Sequence, residues 1–185
     1  MTRLHRFLPD ELDGDRRALY EAITTGPRGR GPQAFPLTDA DGALRGPFNA
    51  FLLAPPVGDA LQHLGSAIRY GTALSDRVRE LAVLVVAAHW DSAFERESHE
   101  AVGRAAGLTE AELEALREGA QPPLDDPEEA AALTLVRALV TGDVDDDTWA
   151  AVSPPLSRES VFELSTLVGY YAALALQLRV FRVPT

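Results

Sequence analysis

The chain has 185 residues, of which 46% are hydrophobic and 24% charged, a composition typical of a soluble globular domain with a full-sized core. Its net charge of -11, with 17 basic residues scattered among 28 acidic ones, excludes the usual nucleic-acid-binding surface, because phosphate contacts need clustered Lys and Arg. The absence of cysteine excludes disulfide bonds, thiolate metal sites and any thiol redox cycle carried by this chain.

The N-terminus turns acidic within ten residues and contains no apolar run of the kind that signal peptides have. The longest uninterrupted apolar run, residues 81–88, is far shorter than the roughly 20 residues that span a bilayer. We therefore expect a cytoplasmic protein that does not bind membranes.

The chain order predicts an N-terminal helix and loop over residues 1–42 and a helical domain over residues 43–185, within one compact domain overall. The first helix is predicted over residues 9–25, where Gly-Pro ends it. Residues 26–35 are rich in glycine, proline and arginine, which predicts a loop. We interpret this loop as an exposed connector, with a substrate lid as the alternative.

A short helix is expected before Pro55, followed by a second helix. In this second helix Val57, Leu61, Leu64 and Ile68 follow one another at spacings of four, three and four. Such spacings place the four side chains on one apolar face of a helix.

The next helix is predicted from Ser75 to about Trp90, with Ser75 as the N-terminal cap. It is apolar on nearly all sides after Glu80, which indicates a central buried helix. A further helix over residues 93–106 should end at Gly107, a residue type that commonly terminates helices.

Three more helices complete the prediction. One begins at Thr109, which can form a capping box with Glu112, one covers residues 128–140, and the last covers residues 157–181. The apolar surface of the last helix is wider than one stripe, so this helix is either central or packs against another subunit. With no convincing strand and no phosphate-binding loop, the predicted fold class is all-α.

A group of polar residues follows the central helix. Ser92, Glu95 and His99 are spaced i, i+3 and i+7, so one helix face presents all three. Glu95 and His99 can interact directly, and antiparallel packing of the two helices would bring Glu80 to the same place. A buried acid beside an imidazole is suited to proton transfer near neutral pH. The same spacing is also typical of solvated helix faces, so spacing alone leaves both interpretations open.

The segment SDRVRELAVLVVAAHWDSAFERESHEAVGRAAGLTEAEL resembles the carboxymuconolactone decarboxylase family, which includes the alkylhydroperoxidase D-like proteins. GPFNAFLL, LGSAIRYGTAL and VFELSTLVGYYAALALQLRVFRVP support the resemblance, which extends over residues 43–184. It implies an all-helical, alkylhydroperoxidase D-like bundle that assembles as a homo-oligomer, a dimer, trimer or hexamer, with sites near subunit contacts.

The resemblance also identifies site positions. The peroxidase branch uses a glutamate, a CxxC pair and a histidine, and Glu80 and His99 match the first and the last of these. Ser92 and Glu95 occupy the two cysteine positions. Thiol peroxidase activity is therefore excluded, because neither thiol is present.

The decarboxylase branch fits better and implies a cofactor-independent acid–base enzyme with no metal. Its substrate would be a small carboxylated compound that undergoes decarboxylation or related isomerisation or lactone chemistry. By this resemblance His99 is the catalytic acid or base, Glu95 its orienting partner and Glu80 a second proton relay.

Ser92, Trp90 and Arg96 are the predicted substrate-binding residues, as hydrogen-bond donor, pocket wall and cation. The other cations close in sequence are Arg77, Arg79 and Arg104.

Two alternatives stay open. The first alternative to an enzyme is a non-enzymatic oligomeric ligand-binding protein with a vestigial site. The second is a metal-binding protein. In the metal-binding alternative the ligands would be Glu80, Glu95, His99 and His89, since carboxylates and imidazoles suit a divalent ion.

Overall fold

The computed structural model describes residues 2–30 and 35–184. In these ranges the chain is helical, and its β pairing is limited to one bridge between Thr38 and Leu44. The all-α fold class is confirmed. The α-helices in these ranges are, in chain order, α1 Gly14–Thr25, α2 Pro47–Phe51, α3 Pro55–Tyr70, α4 Asp76–His89, α5 Ala93–Ala105, α6 Glu110–Arg117, α7 Pro127–Thr141, α8 Asp146–Val152 and α9 Arg158–Phe181.

Helix α4 lies at the centre of the bundle. Every residue from Val78 to Ala87 is buried, and the helix packs against α5, α6, α7 and α9. Because each buried Val or Leu contributes roughly 1.5–3 kcal/mol, this helix makes a large contribution to the stability of the core. The Ser75 hydroxyl accepts a hydrogen bond from the Val78 N–H, so the predicted cap and the predicted central helix are both confirmed.

The other predicted helix starts depend on side-chain caps. Thr109 and Glu112 form the expected capping box at α6, and Ser157 caps α9. Helix α7 begins one residue earlier than predicted because Asp126 accepts hydrogen bonds from two N–H groups of the first turn. Asp145 caps α8, which gives part of the acidic segment near residue 145 a structural role.

The first predicted helix is shorter than expected. Residues Pro9–Glu11 form a separate 3-10 turn, and α1 begins only at Gly14. The break occurs at Leu12, whose backbone is extended and whose side chain is buried in the core. The loop predicted for residues 26–35 includes residues 31–34, which lie outside the described residues.

The buried face of α3 also differs from the prediction. The buried residues are Gly58, Gln62, Gly65 and Ile68. Val57 and Leu64 point outward, with exposed fractions of 60% and 39%. Of the four apolar residues expected on the inner face, only Ile68 is fully buried.

The two glycines explain why α3 turns this face inward. A Cβ on Gly58 would lie 2.4 Å from the Phe51 carbonyl oxygen, and one on Gly65 would lie 2.3 Å from the Tyr170 hydroxyl. At Gly58 the neighbouring atom is backbone, so a side chain there would force α3 away from α2; at Gly65 the neighbouring atoms belong to the side chains of Tyr170 and Arg28. Close approach at these two glycines, and not side-chain hydrophobicity, accounts for the face that α3 turns inward.

Helix α9 is both a core helix and a surface helix. Leu164, Leu167 and Leu174 are buried, whereas Phe162 and Val180 are 71% and 57% exposed. By length and composition α9 could cross a membrane, and 44% of its most apolar window is buried inside the protein. A core helix that keeps one apolar face at the surface has the same composition.

Arg77 connects α4 to its neighbours through a partly buried ion cluster. Its guanidinium donates to Glu112 on α6 at 2.7 Å and to Glu129 on α7 at 2.7 and 2.9 Å, and also to the Gly107 carbonyl. The hydrogen bonds to Glu129 and Glu112 raise the pKa of Arg77. Burial raises the pKa of Glu112, but the hydrogen bond from Arg77 outweighs it and holds that pKa below its ordinary value.

We expect Arg77→Gln to lower the free energy of unfolding by about 2 kcal/mol, because it leaves Glu112 and Glu129 without their cation. In urea denaturation, the difference in free energy of unfolding between this variant and the unsubstituted chain should become smaller below about pH 4. The reason is that a carboxylate with a lowered pKa stabilises the fold only while it is ionised. The control is Arg104→Gln, which breaks an exposed pair with Glu110 and should leave the midpoint nearly unchanged. Equal effects of the two substitutions would contradict this structural role.

Candidate active site

A sharp turn between α4 and α5 brings the polar residues together. Asp91 adopts a left-handed backbone conformation, with φ of 48°, which Asp tolerates better than most residues. The Ser92 N–H donates to the Ala87 carbonyl across this turn. The two helices therefore run antiparallel, and Glu80 on α4 faces His99 on α5.

Glu80 and His99 form a short, buried hydrogen bond. His99 Nδ1 lies 2.6 Å from Glu80 Oε2, and the Glu80 side chain has no exposed surface. The other carboxylate oxygen lies 3.4 Å from Arg69 Nη1 and 3.7 Å from Arg79 Nε. Burial raises the pKa of Glu80, but His99 and the two arginines outweigh it and hold the pKa below its ordinary value. Glu80 is therefore ionised and accepts the Nδ1–H of His99.

Glu95 lies on the other side of the same imidazole. Its Oε2 is 3.5 Å from His99 Nε2, and its buried Oε1 has no hydrogen-bond partner among the described residues. Burial raises the pKa of Glu95, and the negative Glu80 adds to this effect, while His99 and Arg28 oppose it. Glu95 thus holds a proton more tightly than an ordinary glutamate and keeps one oxygen available to a ligand.

The pair Glu95 and His99 opens into a cavity of about 370 Å³, which also contacts the segment before α2 and helix α9. One wall is aromatic and includes Phe48, Phe94 and Tyr171. The Tyr171 ring meets His99 edge-on, with ring centroids 5.1 Å apart. Burial raises the pKa of Tyr171 well above its ordinary value, so this residue remains a neutral phenol beside the imidazole.

Five arginines line this cavity in a chain whose net charge is -11. They are Arg28, Arg30, Arg45, Arg69 and Arg79. Such a local reversal of charge attracts and holds anions, since converging guanidinium groups bind carboxylates through charge-assisted hydrogen bonds.

The structure brings together the three predicted catalytic residues, Glu80, Glu95 and His99, around one imidazole. The three predicted substrate-binding residues lie elsewhere. Ser92 is buried at the start of α5, Trp90 packs against the core and Arg96 lies 3.7 Å from Asp91. None of these last three lines the cavity, so their substrate-binding roles stay predictions.

Most of the cavity arginines were missed from the sequence. Of the cations considered there, only Arg79 lines the cavity. Arg28 and Arg30 lie in the glycine- and proline-rich segment that was interpreted as a connector. The sequence feature that could have indicated them is a pair of arginines in a loop with few apolar residues, within an acidic chain. The sequence does not indicate Arg69 as a site residue, because only the folded position of the end of α3 brings it near Glu80.

The metal-binding alternative lacks a ligand set in the described ranges. Within residues 2–30 and 35–184, no group of three or more His, Asp or Glu residues is arranged to hold a metal ion. His89, one of its ligands, is exposed at the end of α4. The donors around His99 are arranged instead as a chain of two acids and one imidazole.

The opposite pKa shifts of the two glutamates predict opposite pH trends in stability. A carboxyl group whose pKa is lowered by folding stabilises the fold at pH values above its ordinary pKa, and this stabilisation is lost as the pH falls. A carboxyl group whose pKa is raised by folding stabilises the fold at low pH, and this stabilisation is lost as the pH rises. Relative to the unsubstituted chain, Glu95→Gln should therefore gain stability as the pH rises above the ordinary pKa of a glutamate, about 4.3. Glu80→Gln should lose stability relative to that chain as the pH rises from about 3 to 5. Urea denaturation across this range measures both, and parallel trends would contradict the assigned protonation states.

Comparison with known proteins agrees with this fold. Residues 55–138 match the family model described as the carboxymuconolactone decarboxylase family. A protein of unknown function from Agrobacterium tumefaciens, named as a candidate antioxidant defence protein AhpD, is 20% identical, with a TM-score of 0.66 over 74% of this chain and 97% of that one.

A second solved structure is the debrominase Bmp8, with one cysteine replaced by alanine, in complex with 2,3,4-tribromopyrrole. It is 10% identical, with a TM-score of 0.75 over 100% of this chain and 91% of that one. At these identities the likeness concerns the fold alone. The search of curated proteins found no match. The resemblance seen in the sequence is thus confirmed: residues 55–138, from α3 into α7, match the carboxymuconolactone decarboxylase family, and the helical fold, which contains no cysteine, is alkylhydroperoxidase D-like.

Proposed function

We propose that this protein is a cofactor-independent acid–base enzyme that acts on a small carboxylated compound, by decarboxylation or by related isomerisation or lactone chemistry. The observation that carries the proposal is the buried chain Glu80–His99–Glu95 at the wall of an arginine-lined cavity. Two acids whose pKa values move in opposite directions provide one fixed base and one proton donor, as acid–base catalysis requires.

Each residue of the chain has a distinct task in a decarboxylation. The substrate's carbon–carboxylate bond breaks, CO2 leaves, and the bonding electron pair moves into an adjacent unsaturated carbonyl. A proton must then reach the carbon, and the neutral Glu95 carboxyl delivers it, either directly or through His99 Nε2, which accepts the Glu95 proton before passing it on. Ionised Glu80 holds Nδ1–H, so that Nε2 is the nitrogen presented to Glu95.

The cavity arginines support the choice of an anionic substrate. They attract a carboxylate into a protein that is otherwise negative, and they stabilise the negative charge that develops on the carbonyl oxygen as CO2 leaves. Arg79 is paired with Asp76 and lies close to Glu80, so its charge is already partly used. Arg28, Arg30 and Arg45 lie on the N-terminal side of the cavity.

The second candidate function is ligand binding without catalysis, in which the same cavity holds a carboxylate and His99 has no chemical task. The two functions differ in what happens when His99 is removed. Binding would survive in both cases, and only a catalyst would lose turnover.

We expect His99→Ala to lower the rate of CO2 release or of lactone conversion by about 10²- to 10⁴-fold, because it removes the group between the two acids. The measurement is a screen of small unsaturated carboxylic acids and lactones, followed by rates for each protein. The matched control is His63→Ala, an exposed histidine on α3 that contacts Asp59, and its rate should equal that of the unsubstituted chain. Equal rates for the two variants would remove His99 from the mechanism.

We also propose that the chain associates with itself through the outer faces of α3 and α9, which pack side by side. Exposed apolar side chains follow one face of each helix: Val57 and Leu64 on α3, and Phe162, Leu176 and Val180 on α9. An apolar face this broad is typical of a surface that another protein covers. A second copy would pair the two faces with themselves, as in most soluble homodimers.

Light scattering after size exclusion tests this association. The double substitution of Phe162 and Val180 by Glu should lower the molar mass to that of one chain, because charge at the centre of an apolar contact is costly. Trp149→Glu is the control, since Trp149 is 42% exposed on α8, away from this face, and it should leave the mass unchanged. A single-chain mass for the unsubstituted protein would contradict the proposal.

A further inference from the structure

The guanidinium of Arg28 is held in place at the cavity wall by two helices. Its Nε lies 3.4 Å from Gln62 Oε1 on α3, and its charged carbon lies 5.1 Å from the centre of the Phe48 ring on α2. Gln62 is itself buried. A cation fixed by a buried amide and an aromatic face loses little freedom when it binds an anion, which favours tight and oriented binding.

Gly65 makes room for this guanidinium. A Cβ at that position would lie 2.6 Å from Arg28 Nη2 and 2.3 Å from the Tyr170 hydroxyl. The Arg28 guanidinium and the Tyr170 hydroxyl therefore lie next to each other, both against Gly65 on α3. Tyr170 is buried, and burial raises its pKa to about 12. It therefore remains a neutral phenol, whose O–H can donate to an anion beside the arginine.

Glu95 lies within the electrostatic reach of this pair. The charged and titratable groups that act on it are His99 on its own helix, Glu80 on α4, Arg28 before α2 and Tyr170 and Tyr171 on α9. Among these groups, Arg28 is a cation that is not part of the Glu80–His99–Glu95 chain. Its positive charge favours the ionised form of Glu95, against the effect of burial.

We propose that Arg28, with the Tyr170 hydroxyl beside it, binds the substrate's carboxylate, and that an anion bound there makes the Glu95 carboxyl take up a proton. The inference rests on the proposed function and deepens it. Arg28 becomes the specificity-determining residue, for a carboxylate carried on a flat unsaturated body that fits against Phe48 and Phe94.

The physical reason is charge compensation. A carboxylate paired with Arg28 cancels the positive potential that favours the ionised form of Glu95, and it adds a negative charge to the same low-dielectric space. Free Glu95 Oε1, buried and without a partner among the described residues, is where the proton is placed. Substrate binding thus loads the acid with the proton that the carbon later receives.

Benzoate is a probe that tests this without turnover. Titration calorimetry in buffers of different ionisation enthalpy, between about pH 5 and 9, gives both the affinity and the number of protons taken up. We expect saturable binding with a net uptake approaching about one proton at the pH where free Glu95 is ionised. Benzamide, a neutral molecule of the same shape, should take up no proton.

The variants separate the parts of the proposal. Arg28→Gln should weaken benzoate binding about 10-fold or more, and Gly65→Ala should do the same, because its methyl group occupies the place of both donors. Glu95→Gln should still bind benzoate but take up no proton. The matched control Arg158→Gln, an exposed arginine at the start of α9, should behave as the unsubstituted chain does. Thermal melts of each variant show that it is folded.

Three outcomes would overturn the inference: no saturable benzoate binding, unchanged affinity in folded Arg28→Gln, or persistent proton uptake in Glu95→Gln. These outcomes are distinct from failure of the proposed function. If His99→Ala keeps full turnover while benzoate binding depends on Arg28, the reaction is wrong and the subsite stands. If His99→Ala is inactive while benzoate binding ignores Arg28, the reaction stands and the subsite is wrong.

Discussion

The structure depends on one buried charge. Glu80 is a carboxylate without exposed surface on a helix that is buried on all sides, and an isolated charge in such a place costs several kcal/mol. It is stable there because His99 on α5 and Arg69 on α3 converge on it, together with Arg79 of its own helix. Through these contacts the Glu80 carboxylate links α3 and α5 to α4. It thereby fixes the position of the imidazole.

From this constraint the two acids acquire different characters. Both Glu80 and Glu95 are buried beside the same imidazole, yet the pKa of Glu80 is lowered and that of Glu95 is raised. The difference arises from partners, because Glu80 has His99 and two arginines, whereas Glu95 has a longer contact to His99 and one free oxygen. At the two positions that the resemblance assigns to redox thiols, this chain has Ser92 and Glu95. The fold is shared, and the chemistry that the site supports is not.

Part of the cavity wall lies outside the matched family segment, residues 55–138. Arg28 and Phe48 precede this segment, Tyr170 and Tyr171 follow it, and all four line the cavity. The family segment therefore provides the acid–base chain together with some of the positive and aromatic wall, and the flanking elements complete that wall. Such a division allows the ligand to change without disturbing the buried charge cluster.

The sequence by itself determined the helices and the identity of the three central residues. Local signals suffice for this: Ser75, Thr109 and Ser157 cap helices through their own first turns, and the spacing of Glu95 and His99 places them on one face. Only the tertiary structure decided which face of α3 is buried, because Gly58 and Gly65 act by allowing neighbouring groups to come close and carry no hydrophobic signal. Only it decided which arginines share a cavity with His99, since Arg28 and Arg69 are 71 and 30 positions away in the chain. Hydrogen bonds within a turn depend on residues that are neighbours in the sequence, whereas a cavity is lined by residues that only packing brings together.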